Sequence, residues 1–176
     1  INLGRYRGLR GGPTDVSAWS IYWNPALMAE PGTRVGLHLM GAMRSATFFR
    51  EAEANAVPPE EEAANAGHAE VTSAGVIPGL AGGWGMSLGD FELGFGGAFY
   101  IAQAGVANYE RNLAAPERYP GAIDGPQRWG TINTSLIMLS FSGGAALEYT
   151  PLGLSFGAAP VFTHVTMSTV RARNAN

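Results

Sequence analysis

Between Val76 and Ile101 the chain alternates with a period of two. Val76, Pro78, Leu80, Gly82, Trp84, Met86 and Leu88 fall on one face, and Gly79, Ala81, Gly83, Gly85 and Ser87 on the other. After Gly89-Asp90, residues Phe91, Leu93, Phe95, Gly97, Phe99 and Ile101 continue the large face, while Glu92, Gly94, Gly96, Ala98 and Tyr100 continue the small one. Successive side chains of a strand point to opposite sides. The segment therefore reads as two strands with one bulky apolar face and one face nearly bare of side chains. A two-residue link between alternating runs predicts a hairpin, and Gly at its first position suits a type II′ turn. A membrane-spanning helix is excluded here. It wants about 20 consecutive apolar residues, whereas Asp90 and Glu92 interrupt the run and ten glycines fall between Gly75 and Gly105. Gly at that density is a poor helix former.

Charge is scarce. Only 14% of the 176 residues are charged, against the ~25% usual for soluble domains. All 11 basic residues are Arg, and the net charge is -3. Hydrophobic residues are 46% of the chain, so it is neither a disordered segment nor a charged coiled coil. A lipid-facing surface accounts for the missing charge. The negative balance argues against nucleic acid as a partner, and the absence of Cys removes disulfide and thiolate chemistry.

Three further strands follow the same logic. In Thr33–Arg50, Val35, Leu37, Leu39, Gly41 and Met43 alternate with Arg34, Gly36, His38, Met40, Ala42 and Arg44. Thr131–Tyr149 places Asn133, Ser135, Ile137, Leu139 and Phe141 on one face. Leu154–Arg171 follows a short turn at 150–153, and Pro160 within it predicts a bulge, kink or local break in pairing. Tight links at 89–90 and 150–153 alternate with long polar ones at about 51–72 and 103–128. Short turns on one side and long loops on the other are the pattern of outer-membrane barrels. All five strands reach the roughly 9–11 residues needed to cross. The alternative is a soluble β-sandwich or barrel, whose outward faces are polar.

Five strands do not close a barrel, because bacterial single-chain barrels start at about eight, and open edges in lipid are forbidden energetically. The chain is therefore expected to be the N-terminal portion of a longer barrel, or to be completed by another chain or further copies. Its start at Ile1 implies a removed leader or a truncated beginning.

Residues 1–32 do not alternate. Gly4, Gly8, Gly11, Gly12 and Pro13 lead to Ala18–Tyr22 and then Asn24-Pro25-Ala26-Leu27. Asn24 suits a helix N-cap and Pro25 the first helical position. Pro31-Gly32 ends the turn. The order of parts resembles the FadL/TodX group of long-chain fatty acid transporters of Gram-negative outer membranes. The parts are a Gly-rich start, Asn24-Pro25-Ala26 before a long first strand, Pro78-Gly79-Leu80-Ala81, a tight hairpin, a second long loop, and Asn133-Thr134-Ser135-Leu136 before a further hairpin. The chain departs from the group in carrying Arg5, Arg7 and Arg10 where the hatch start is often apolar.

The resemblance implies an all-β antiparallel transmembrane barrel of fourteen strands, of which this chain supplies the first five in residues 33–176. It implies an N-terminal hatch at 1–32 containing Asn24, Pro25 and Ala26. Transport is then passive diffusion of a fatty acid or similar hydrophobic molecule, with lateral exit at a kinked strand. The third strand, with Gly94, Gly96 and Gly97, is where such a kink is expected. No cofactor is implied. The surroundings are outer-membrane lipid and lipopolysaccharide. A fatty acid needs an apolar slot for its chain and a donor for its carboxylate. Ile1, Leu3, Tyr6, Leu9, Trp19, Ile21 and Trp23 suit the slot, and Arg5, Arg7 or Arg10 the carboxylate. The commoner roles of such residues are different: arginines pair with carboxylates within the wall, and Trp19 and Trp23 pack the plug.

Other chemistries fit less well. His68 lies in a polar loop. His164 and Ser168 share a strand face but lie roughly 13 Å apart at ~3.3 Å per residue, too far for a nucleophile and its base. Thr166 is nearer but an unusual nucleophile. Glu60-Glu61-Glu62 reads as a solvated run rather than a metal site, and no phosphate-binding glycine loop is present. Trp84, Phe99, Tyr100, Tyr109, Tyr119 and Trp129 are candidates for an interfacial aromatic girdle. A general porin, a structural barrel and an outer-membrane hydrolase remain as alternative functions.

Overall fold

The computed structural model describes residues 12–50, 67–113 and 120–173. The chain is all-β, folded as a mostly antiparallel, open sheet. After a short helix α1 (Ser20–Trp23) and a 3-10 turn (Pro25–Ala29) come β1 (Gly32–Arg50), β2 (Gly67–Leu88), β3 (Phe91–Asn108), β4 (Asn133–Tyr149), β5 (Leu154–Ala158) and β6 (Val161–Val170). The sheet order is β1-β2-β3-β4-β5, with β6 also pairing β4.

The hairpin between β2 and β3 forms as expected. Leu88 pairs with Phe91, and the register runs unbroken to Gly79 and Tyr100. Gly89 has φ +63° and Asp90 has no positive φ, the signs a type II′ turn requires. Both strands exceed their expected bounds. β2 begins at Gly67 and β3 runs to Asn108, taking residues assigned above to the loops at 51–72 and 103–128. In β2 the cause is visible: Ala69 and Val71 are buried between exposed His68, Glu70 and Thr72. The alternation continues there in polar dress. The expected fifth strand forms as two pieces separated by Ala159-Pro160, since Pro has no N–H for the ladder.

The described residues group into two compact units, one of 12–41, 76–103 and 138–165, the other from 42–75, 104–137 and 166–173. In the first, the core lies between the N-terminal segment and the small face of the sheet. Ala18, Trp19, Ile21, Met28 and Ala29 meet Ala81, Ala98 and Ala146 from β2, β3 and β4, with Tyr22, Trp23, Tyr100 and Ala159 packed around them. The large side chains point away from this core. Val35 is 78% exposed, Leu37 70%, Trp84 49% and Phe95 51%.

In the second unit, the connection after β3 folds on itself. Asn112 N–H donates to the Ile123 carbonyl at 2.8 Å, and the Gln127 amide donates to the Asp124 carbonyl at 2.8 Å. Arg128 is 1% exposed. Its Nη1 donates to the Gly125 carbonyl at 3.0 Å, its own carbonyl accepts from Ala172 N–H at 2.8 Å, and its guanidinium lies 5.1 Å from the centre of the Trp129 ring. A buried guanidinium needs such partners to offset its lost hydration.

Candidate hatch and ligand site

Asn24 organises the N-terminal segment. Its backbone N–H closes α1 on the Ser20 carbonyl at 2.8 Å. Its Oδ1 accepts from Ala26 N–H at 3.3 Å, capping the 3-10 turn, with Pro25 at the first position. Its Nδ2 donates to the Pro13 carbonyl at 3.0 Å. The expected cap is present, and the one side chain ties the 3-10 turn to the backbone at Pro13. α1, which lies just before it, was not foreseen.

This segment seats on glycines. A side chain at Gly94 would collide with the backbone of Met28, one at Gly85 with the backbone of Glu30, and one at Gly157 with the backbone of Pro25 and Ala26. At Gly96 a Cβ would lie 2.9 Å from Met28 Sδ; at Gly36 and Gly79 it would lie 2.8 and 2.9 Å from the Trp19 indole. Real Cβ atoms do not approach so closely. The bare face of β1, β2, β3 and β5 is therefore a bed for residues 19–30. Arg34 holds the far end, its Nη2 donating to the carbonyls of Glu30 at 2.7 Å and Pro31 at 3.3 Å.

Gly94 and Gly96 thus serve close packing, and the β2–β3 ladder passes both without a gap: Gly85 pairs with Gly94, Gly83 with Gly96, Gly82 with Gly97. Gly97 lies on the opposite face, in a shallow apolar hollow with Val35, Leu80 and Phe99. The interrupted strand is the fifth. There Ser142 Oγ donates to the Pro160 carbonyl at 3.1 Å, and the hydroxyls of Ser140 and Thr163 bond at 2.9 Å. Side chains of β4 thereby span the missing ladder. Gly144 leaves room for Ala159, whose Cβ would lie 2.7 Å from a Cβ at 144.

An aromatic group borders the seat. Tyr22 stands edge-on to Trp23, with ring centres 4.9 Å apart, and to Tyr100 at 5.5 Å; Trp19 stands edge-on to His38 at 6.3 Å. Burial, and then the neighbouring Tyr100, pushes the Tyr22 phenol above its ordinary range. Tyr100 also bonds Ser140. Facing Tyr22, it does not share the outward face of Trp84. Trp23 Nε1 and His38 Nε2 are buried and have no hydrogen-bond partner among the described residues.

Of the slot residues, Trp19 is 4% and Ile21 3% exposed, both in the packed core. Trp23 is half-buried. Ile1, Leu3, Arg5, Tyr6, Arg7, Leu9 and Arg10 lie outside the described residues, as do Glu60-Glu61-Glu62 and Tyr119. Among the described residues, no three acidic or histidine side chains gather as a metal site, and no helix is long and apolar enough to cross a membrane. Sequence reading missed Ser140, Ser142, Gly144 and Gly157. Ser and Gly within a strand carry no local signal of what crosses above them.

The chain matches no protein-family model, no curated protein and no solved structure.

Proposed function

We propose that the chain is the hatch and first strands of an outer-membrane β-barrel that passes a long-chain fatty acid or similar hydrophobic molecule by diffusion, without a reaction. The observation that carries this reading is the inverted polarity of the first unit. Its large apolar side chains face outward, and its small face is covered by residues of the N-terminal segment. A sheet in water buries its large face, since each fully buried Leu or Phe contributes about 1.5–3 kcal/mol. A sheet in lipid has no such need.

In this reading the lateral exit lies at Ala159-Pro160, not at Gly94, Gly96 and Gly97. Only the former interrupts its strand, and the hatch backbone at Pro25-Ala26 lies against Gly157, two residues before it. The test is to purify the full-length protein in detergent and analyse co-purifying lipids by mass spectrometry. A stoichiometric apolar molecule, reduced in Asn24→Ala, is expected. Nothing above the detergent blank, together with salt-dependent ion conductance in a planar bilayer, replaces the reading with a porin. Recovery as a water-soluble monomer removes the membrane altogether.

A further inference from the structure

The outward face of the sheet is apolar over a limited length. On β2 the apolar run goes from Leu88 to Val76, and on β4 from Tyr149 to Ile137, equal stretches of thirteen residues. Both start from one level, because the two tight turns are joined. Thr150 donates to the Asp90 carbonyl through its N–H and its Oγ1, each at 3.0 Å. Phe91 and Tyr149 stand together there, with ring centres 5.1 Å apart. No outward residue of either stretch is charged. Past Ala74 the same face of β2 carries Thr72, Glu70 and His68, all exposed. Past Ile137 the same face of β4 carries Ser135 and Asn133. β6 follows suit. Thr163 and Thr169 bond Ser140 and Thr134 on the inner face, so the outward residues are Phe162, 67% exposed, and then His164, Thr166 and Ser168. Val170, past Ser168, is a single exposed apolar residue at the strand end, which is ordinary on any surface.

We infer that this band is the surface that meets bilayer hydrocarbon, that it ends at Val76 on β2, Ile137 on β4 and Phe162 on β6, and that the polar outward stretches past those residues stand outside the hydrocarbon. Length supports it. Thirteen residues at ~3.3 Å each and a tilt of about 40° rise roughly 30 Å, the thickness of a hydrocarbon core. Charge supports it independently. On the lipid face of a barrel a charge is costly at the midplane and nearly neutral at the interfaces. Asp90 and Glu70 flank the band at its two ends on the β2–β3 hairpin, and none lies within it. Water would impose no such division. The aromatic pair Phe91 and Tyr149 lies where barrels carry a girdle. β2, with 22 residues, is about twice as long as crossing requires, and the excess is its polar end. The inference rests on the membrane reading above and sets the limits of the lipid contact.

The experiment measures the folding equilibrium of the full-length protein into dilauroylphosphatidylcholine vesicles, with Arg compared against Ser at four outward positions. Gly143 and Leu80 lie within the band, Thr72 and Ser168 past its edge. Nothing lies within 4 Å of a Cβ at Gly143, so a side chain there reports its surroundings rather than lost packing. Comparing Gly143→Arg with Gly143→Ser, and likewise at Leu80 and Thr72, cancels the loss of the parent side chain; at Ser168 the parent is the reference. Arg is expected to lower the folding constant roughly 30- to 800-fold at Gly143 and Leu80, and by no more than about fivefold at Thr72 and Ser168. Four changes all within about fivefold overturn both the band and the membrane reading. Any other division of the four overturns the band and leaves the membrane reading standing.

Discussion

The backbone carbonyl of Met28 occupies the space in which a side chain at Gly94 would begin. The N-terminal segment is therefore in contact with strand backbone, and the bare face of β3 is a packing surface. Gly94→Ala should displace the 3-10 turn and cost about 1–3 kcal/mol, the usual penalty for overpacking. Gly41→Ala and Gly75→Ala, where nothing lies within 4 Å, should stay within about 0.5 kcal/mol of the parent. Denaturant unfolding of the three variants, with limited proteolysis of the N-terminal segment, checks this. A destabilisation shared by all three would refute a specific seat.

Asn24 makes its bonds through two different side-chain atoms. Asn24→Ala should lose about 0.5–2 kcal/mol, the range for a missing cap. Asn24→Asp keeps the capping oxygen but not the donor to Pro13. It should cost less overall yet still release residues 12–19 to protease. Equal protection of both variants would show that the Pro13 bond does not hold the segment.

At the interruption of the fifth strand, Ser142 replaces a ladder bond with a side-chain bond to Pro160. Ser142→Ala should cost about 0.5–1.5 kcal/mol and speed amide hydrogen exchange at Val161–Thr163. Exchange there at the parent rate would mean the ladder does not depend on that hydroxyl.

Trp84 and Phe95 are cross-strand partners, about half exposed on the outward face. If this face meets lipid, Phe95→Arg should cost roughly 2–4 kcal/mol when folding is measured into bilayers, the midplane value for barrels. If it meets water, the change should be within about 0.5 kcal/mol. The measurement separates the two environments directly.

The Tyr22 phenol is held above its ordinary range, first by burial and then by Tyr100. The folded state thus keeps its proton to higher pH than the unfolded chain does. Its contribution is complete below the unfolded value of about 10 and is lost as pH rises through the folded value. Tyr22→Phe should flatten part of the decline in stability above pH 10. An unchanged slope would place the titration elsewhere.

Much of the site was legible from local rules. Gly89-Asp90 fixed a hairpin because only certain residues adopt its backbone. Asn24-Pro25 announced a cap, and Pro160 a break. The small face of Gly79–Ser87 and Gly94–Ala98 was legible as bare of side chains. Less was legible where composition masked alternation, as at His68–Thr72, and where the partner is distant in the chain. No local rule links Gly157 to Pro25-Ala26, or Ser142 to Pro160.

By itself, then, the sequence determined the strand period, the turn chemistry, the position of the break and which face is bare, because each depends on residues within a few positions of one another. Only the tertiary structure decided what lies on that face: which glycine receives which residue of the N-terminal segment, that Gly94 and Gly96 are seats on an unbroken ladder, and that the break in the fifth strand lies beside Pro25-Ala26. Those relationships join residues tens of positions apart. They arise from strand register and from the close approach of one backbone to another, neither of which is written in any single stretch of the chain.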